Sequence, residues 1–176
     1  MSESLIMDAG TLERCLLRMA CEIGEDHPQL LRVKIIGIHT RGVPLARRLA
    51  ALLSKQFPGQ AAPLVGQLDI AFHRDDQNQS SRPPKLTDIS FDITDAEVIL
   101  VDDVIFSGRT IRAALNALSD IGRPDTIRSA VLIDRGFRKL PIHADYVGKL
   151  HEVADPGRIV VKLAEMDGVD EVRVRT

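Results

Sequence analysis

Apolar residues first recur at helical spacing at Leu12, Leu16, Met19, Ala20 and Ile23, which predicts an amphipathic helix over 8–24. "RVKIIGIHT" (32–40) is a short β-branched run ending in polar residues and reads as a buried strand. "VPLARRLAALLSKQF" (43–57) returns to helical spacing, with Pro44 tolerated in the first turn. "PLVGQLDIAFH" (63–73) predicts a second strand. The pattern then breaks: "RDDQNQSSRPPKL" (74–86) is polar, carries prolines and has almost no apolar residue. Such a stretch inside a domain is either a functional lid or a solvated loop. Beyond it, "EVILVDD" (97–103) is the most strongly buried-looking strand, "RTIRAALNALSDIG" (109–122) the clearest helix, and "IRSAVLID" (127–134) another strand. Short strands are predicted in "ADYVGK", "RIVVKL" and "DEVRVRT". Near-continuous apolar strands alternating with helices predict an α/β fold with a mostly parallel sheet covered on both faces.

Composition narrows the class. The 176 residues suit one domain with a real core, and 44% hydrophobic against 27% charged residues is a globular composition. No apolar run approaches the ~20 residues that span a bilayer, and "MSESLIMDAGTLER" has no secretory pattern, so a cytoplasmic protein without a membrane partner is expected. The net charge of −2 argues against a surface devoted to nucleic acid, though not against a local basic face. Cys15 and Cys21 both fall on the first predicted helix. Six residues of helix rise ~9 Å, too far for a disulfide, so both read as reduced thiols.

The chemistry gathers in "EVILVDDVIFSGRT" (97–110). Asp102 and Asp103 end an apolar strand, and ligands of open α/β sheets bind outside the carboxyl ends of strands. The turn that follows opens a helix, whose first N–H groups favour phosphate. Gly108 permits close backbone approach, and Ser107 and Thr110 add hydroxyls. One end of such a site suits a phosphate and the other suits hydroxyls or a metal, as a phosphorylated sugar requires. The acidic pair alone is equally compatible with a solvated turn. It also occurs in phospho-accepting signalling domains, but there it lies near the start of the domain. No GxGxxG, GxxxxGK[ST] or HExxH is present, which removes the usual dinucleotide, P-loop and zinc-hydrolase readings. His39 and His73, both at strand ends, read as structural histidines rather than catalytic ones.

Taken whole, "VILVDDVIFSGRT" resembles the signature of type I phosphoribosyltransferases, which bind phosphoribosyl pyrophosphate with Mg²⁺. "IGIHTRGVPLARRLA", "LDIAFHRDD", "LIDRGFRKLPIHADYVGK" and "AEMDGVDEV" extend the likeness to nearly the whole chain and make it similar to the PyrR family. That family couples uracil phosphoribosyltransferase activity to RNA-binding attenuation of pyrimidine genes. The resemblance implies a single domain over 1–176, with a central sheet flanked by helices and a mobile lid at about 73–87. A small hood would come from the N-terminal segment and about 136–176.

It also implies roles. Thr40 and Arg41 would hold the pyrophosphate, and Asp102 and Asp103 the ribose hydroxyls and, through substrate or water, the metal. Val104, Ile105, Phe106, Ser107, Gly108, Arg109 and Thr110 would wrap the 5′-phosphate. Arg74, Asp75 and Asp76 would begin the lid, with Arg82 and Lys85 further along it. Arg135 would contact the nucleotide and the backbone near Ile159 the base edge, whereas a structural ion pair is the alternative for Arg135. Catalysis would rest on Arg41, Asp102 and Asp103 without a covalent nucleophile. Expected partners are uracil, phosphoribosyl pyrophosphate, UMP, a pyrimidine-operon leader RNA and further copies of the chain in a dimer or larger assembly.

Arg138, Lys139 and Lys149 would supply basic contacts to RNA. Attenuator members of the family carry a histidine where this chain has Cys21, "RGHR" where it has Phe137, "LPIRADY" where it has His143, and "GKNIPTS" where it reads "GKLHEVADPG". Each change removes a donor or charge or rebuilds a segment, and fewer phosphate contacts mean weaker RNA binding. Two other functions remain open: a UMP-sensing RNA regulator with secondary catalysis, and a phosphoribosyltransferase for another base.

Overall fold

The structure is a computed structural model and describes residues 3–73 and 85–176. The first strand, β1 (Glu3–Met7), leads to α1 (Ala9–Asp26), whose N-cap is Asp8. The Asp8 carboxylate accepts the Thr11 N–H at 2.8 Å, which satisfies one of the free donors of the first turn. β2 (Val33–Ile38), α2 (Gly42–Gln56) and β3 (Leu64–Leu68) follow. Next come β4 (Glu97–Ile105), α3 (Arg109–Ile121), β5 (Thr126–Asp134) and β6 (Tyr146–Leu150). β7 (Arg158–Lys162), the four-residue α4 (Ala164–Asp167) and β8 (Glu171–Arg175) complete the order. The predicted elements are present to within a few residues, except that the strand expected over 63–73 stops at Leu68. The Asp69 carboxylate accepts the Ala71 N–H and bends the chain into a short 3₁₀ turn over Ala71–His73.

Five strands form a parallel sheet in the order β3-β2-β4-β5-β6. Alternation along its strands divides the core. Ile35, Ile99, Val101, Ala130 and Leu132 face α1 and α2, which bury Leu12, Leu16, Met19, Leu45, Leu49 and Leu53 against them. Ile36, Ile38, Val98, Leu100 and Val131 face the other way, toward Ile111, Ala114 and Leu118 of α3. Both faces are therefore covered, and the strand ends are where the sheet meets water. A separate antiparallel sheet, β1-β8-β7, joins the two ends of the chain.

The strand order reverses between β2 and β4: from β2 the chain goes out to β3 on one side, then returns to β4 on the other. Such a switch point opens a crevice beyond the carboxyl ends of the two strands. Close packing sets its width. A Cβ on Gly42, the first residue of α2, would stand 2.3 Å from the Val101 carbonyl oxygen, so only glycine lets α2 approach β4 this closely. Gly42→Ala is expected to destabilise the fold by roughly 2–4 kcal/mol, read as a lower urea midpoint with an unchanged m-value. A midpoint equal to wild type would show that the β2–α2 turn can relax.

Candidate active site

Beyond β2 the chain turns through Thr40 and Arg41 into α2, and the His39–Thr40 peptide is cis. The Arg41 guanidinium donates through Nη2 to both carboxylate oxygens of Asp167, at 3.2 Å each. Asp167 in turn accepts the Leu163 N–H at 2.9 Å; that bond, and then the Arg41 charge, hold its carboxyl below the usual range. Arg41 Nε is buried with no partner among the described residues. A buried, unpaired guanidinium N–H is costly unless a ligand accepts it, which fits an anion at this turn.

Asp102 and Asp103 lie across the crevice at the end of β4. Asp102 is buried, and its Oδ1 accepts the Asp103 N–H at 2.9 Å. Asp103 Oδ1 accepts the Val104 N–H at 2.9 Å. Burial pushes the Asp103 carboxyl above the ordinary range, against the opposing pull of a hydrogen bond with Asp102 and the Arg41 charge. Two adjacent carboxylates, Asp102 buried and Asp103 half-buried, suit sugar hydroxyls as donors. They also suit a hard cation that takes its other ligands from substrate oxygens and water, because no third His, Cys, Asp or Glu among the described residues is grouped with them.

The turn after β4 is built as a cradle. Gly108 has φ +90°, a left-handed conformation that side chains disfavour, and it leads directly into α3. The carbonyls of this turn are held from outside. Arg138 Nη1 donates to Phe106 O at 2.8 Å, Lys139 and Leu140 N–H to Ser107 O at 3.0 and 3.1 Å, and Arg112 N–H to Gly108 O at 3.0 Å. The N–H groups of Ser107 and Gly108 have no backbone partner among the described residues. Fixed carbonyls, unused amides and a 13-residue helix beginning at Arg109 together suit an anion.

Next to the cradle is a cleft of about 550 Å³ lined by Val104, Phe106, Arg135, Asp155, Pro156, Arg158 and Ile159. Arg135 is buried and lies with its guanidinium carbon 3.9 Å from the centre of the Phe106 ring. Its Nε donates to Val153 O at 2.9 Å and its Nη2 to Asp155 Oδ1 at 2.7 Å. Arg135 thus lines the cleft and also makes the ion pair that was the structural alternative for it.

These features bring Thr40, Arg41, Asp102, Asp103, the 104–110 turn, Arg135 and Ile159 around one end of the sheet. Arg74, Asp75, Asp76 and Arg82, and the 74–84 part of the expected lid, lie outside the described residues. Lys85 is described, and its backbone N–H donates to Asp69 Oδ2 at 2.6 Å. His39 Nε2 is 3.2 Å from Leu86 O and His73 Nε2 is 3.0 Å from Asp120, so both have local partners. Asp155 and Asp167 were not expected; their signals lie in pairings distant along the chain.

A phosphoribosyl transferase domain model matches residues 12–161. Proteins named "Bifunctional protein PyrR" match over nearly the whole length. That of Chloroflexus aurantiacus is 50% identical over 97% of this chain and 94% of its own. That of Deinococcus radiodurans is 48% identical over 98% and 94%. The chain belongs to the PyrR family of phosphoribosyltransferases. Its fold is similar to that of the hypoxanthine phosphoribosyltransferase of Trypanosoma cruzi, with a TM-score of 0.73 at 15% identity over 97% of this chain and 95% of that one. At that identity the likeness shows the type I phosphoribosyltransferase fold alone. The PyrR-family chain has no helix, among its described residues, long and apolar enough to cross a membrane.

The buried carboxylate gives a signed prediction. With its folded value raised, Asp103 keeps a proton that the unfolded chain releases, so stability falls as pH rises from the ordinary carboxylate range through the raised value. Asp103→Asn retains an acceptor for the Val104 N–H and removes the charge. The ligand-free variant is expected to have a higher urea midpoint than wild type at pH 7, with the gap closing toward pH 4. A gap that is constant with pH, or a lower midpoint at pH 7, contradicts this reading.

Proposed function

We propose that this PyrR-family phosphoribosyltransferase transfers the phosphoribosyl group of phosphoribosyl pyrophosphate to uracil, releasing UMP and pyrophosphate. The observation that carries the reading is the joining of three subsites at one sheet end: the adjacent Asp102 and Asp103 carboxylates, the glycine turn at the start of α3, and the Arg135–Phe106 cleft. About half-identity to proteins named PyrR supports uracil over a purine.

In this account the amides of the 106–110 turn and the dipole of α3 take the 5′-phosphate. Asp102 and Asp103 accept the ribose hydroxyls, and their negative charge favours the cationic character that grows at the ribosyl carbon. Arg41, oriented by Asp167, takes charge on the departing pyrophosphate. Asp102 and Asp103 would hold Mg²⁺ through substrate or water, and the ion would further neutralise that charge. A uracil ring nitrogen attacks as the bond to pyrophosphate breaks, its proton passing to the departing pyrophosphate or to water, so no covalent enzyme intermediate forms. Thr40 lies in the pyrophosphate turn, Arg109 and Thr110 open α3, and the Ile159 backbone reads the base edge.

A second reading, a UMP-sensing RNA regulator, draws on the word "bifunctional" in the relatives' name. Two of the three basic residues expected at RNA have other engagements here. Arg138 donates to Phe106 O, Gly136 O, Ile142 O and Asp134 inside the protein, and Lys149 Nζ donates to Ile6 O at 3.1 Å. Lys139 is exposed. The transferase reading is therefore primary, in a cytoplasmic protein that assembles as a dimer or larger.

Purified protein given phosphoribosyl pyrophosphate, Mg²⁺ and uracil is expected to make UMP, and to make no nucleotide from hypoxanthine under the same conditions. Turnover of hypoxanthine, or none with uracil, contradicts the proposal. In parallel, pyrimidine leader RNA titrated at fixed salt is expected to bind weakly and without regard to UMP. Tight binding enhanced by UMP would restore the regulatory reading.

A further inference from the structure

Of the two arginines that line the cleft, Arg158 is exposed, whereas Arg135 is only 8% exposed. A cation taken out of water needs partners that replace its hydration. Arg135 has three: the Val153 carbonyl at Nε, the Asp155 carboxylate at Nη2, and the face of Phe106 under the guanidinium. The two hydrogen bonds fix the rotation of the planar group, and the ring fixes its tilt. Nη1 has no protein partner among the described residues, so it remains as a donor whose position is set before any ligand arrives.

Val153 and Asp155 both belong to the connection between β6 and β7, the "HEVADPG" segment in which this chain departs from "GKNIPTS". The same connection supplies Asp155 and Pro156 to the cleft wall. Arg135 is also tied to the phosphate cradle, since its N–H donates to Ile105 O at 2.9 Å. The departure therefore bears on the cleft, where a base would be recognised.

We propose that Asp155 is a positioning residue for base selection: by fixing Nη2 of Arg135 while the Val153 carbonyl fixes Nε, it presents Nη1 as a rigid donor to an oxo group of the base. An amino group at that place would set donor against donor and leave a desolvated N–H unpaired, which favours oxo-bearing over amino-bearing pyrimidines. The inference rests on the uracil reading above.

The test is steady-state kinetics of wild type, Asp155→Ala and Asp155→Asn, with uracil varied at saturating phosphoribosyl pyrophosphate and cytosine as competitor. Asp155→Ala is expected to raise KM for uracil about threefold, since the bond lost is an ion pair with a largely exposed carboxylate that acts on uracil only through Arg135. Its kcat and KM for phosphoribosyl pyrophosphate should stay at wild-type values, and its preference for uracil over cytosine should fall. Asparagine keeps a carbonyl acceptor for Nη2 and is expected to recover most of the lost affinity. Unchanged KM and preference in Asp155→Ala overturn the inference, as do parallel losses in kcat and both KM values with no rescue by asparagine. Wild-type protein that fails to use uracil overturns the functional reading and this inference with it, so the two failures are told apart by the wild-type arm.

Discussion

A parallel sheet covered on both faces has only its strand ends left to meet water, and that constraint governs this molecule. β4 is the middle strand of five, with its apolar residues facing helices on either side. It can end in carboxylates only where the covering stops. Asp102 and Asp103 stand at that place, still dry enough that burial raises the Asp103 carboxyl. The same strand end delivers the chain to the Gly108 turn and the start of α3. The carboxylates and the glycine turn are thus joined by a few residues of one continuous segment, which holds their spacing.

The rest of the site is brought to this segment by pairings between distant parts of the chain. Arg41, from the β2 end of the crevice, is held by Asp167 of α4. Arg135, from the end of β5, is held by the Val153–Asp155 loop and stacked on Phe106. Arg138 ties the Phe106 carbonyl to Asp134 and to Ile142. Each arginine joins one of the sheet's strand ends to another segment, so the guanidinium groups assemble the site as well as charging it. An isolated exposed ion pair contributes little to stability, but Arg135 and Arg138 are largely buried and multiply bonded.

Much of this was legible in the sequence, for physical reasons. Buried parallel strands must be continuously apolar, and the helices beside them must show one apolar stripe, so "EVILVDD" and "RTIRAALNALSDIG" declare themselves locally. The chemistry of the β4–α3 turn is also local, which is why the 102–110 residues could be named. What escaped is non-local. β1 is five residues long and pairs with β8 at the far end of the chain. The four-residue α4 is too short to show a helical period. Asp167 and Asp155 look like ordinary loop acids until the fold sets them against Arg41 and Arg135. Arg138, expected as an RNA contact, also donates to four acceptors inside the protein that no local pattern reveals.

If one nucleotide fits all three subsites at once, a crystal structure of the protein with UMP will show it. The 5′-phosphate is expected against the amides of the 106–110 turn, the ribose hydroxyls at Asp102 and Asp103, and the uracil ring in the cleft beside Phe106, Arg135 and Ile159. A nucleotide bound with its base outside that cleft, or with its phosphate at Arg41 in place of the α3 cradle, would contradict that expectation.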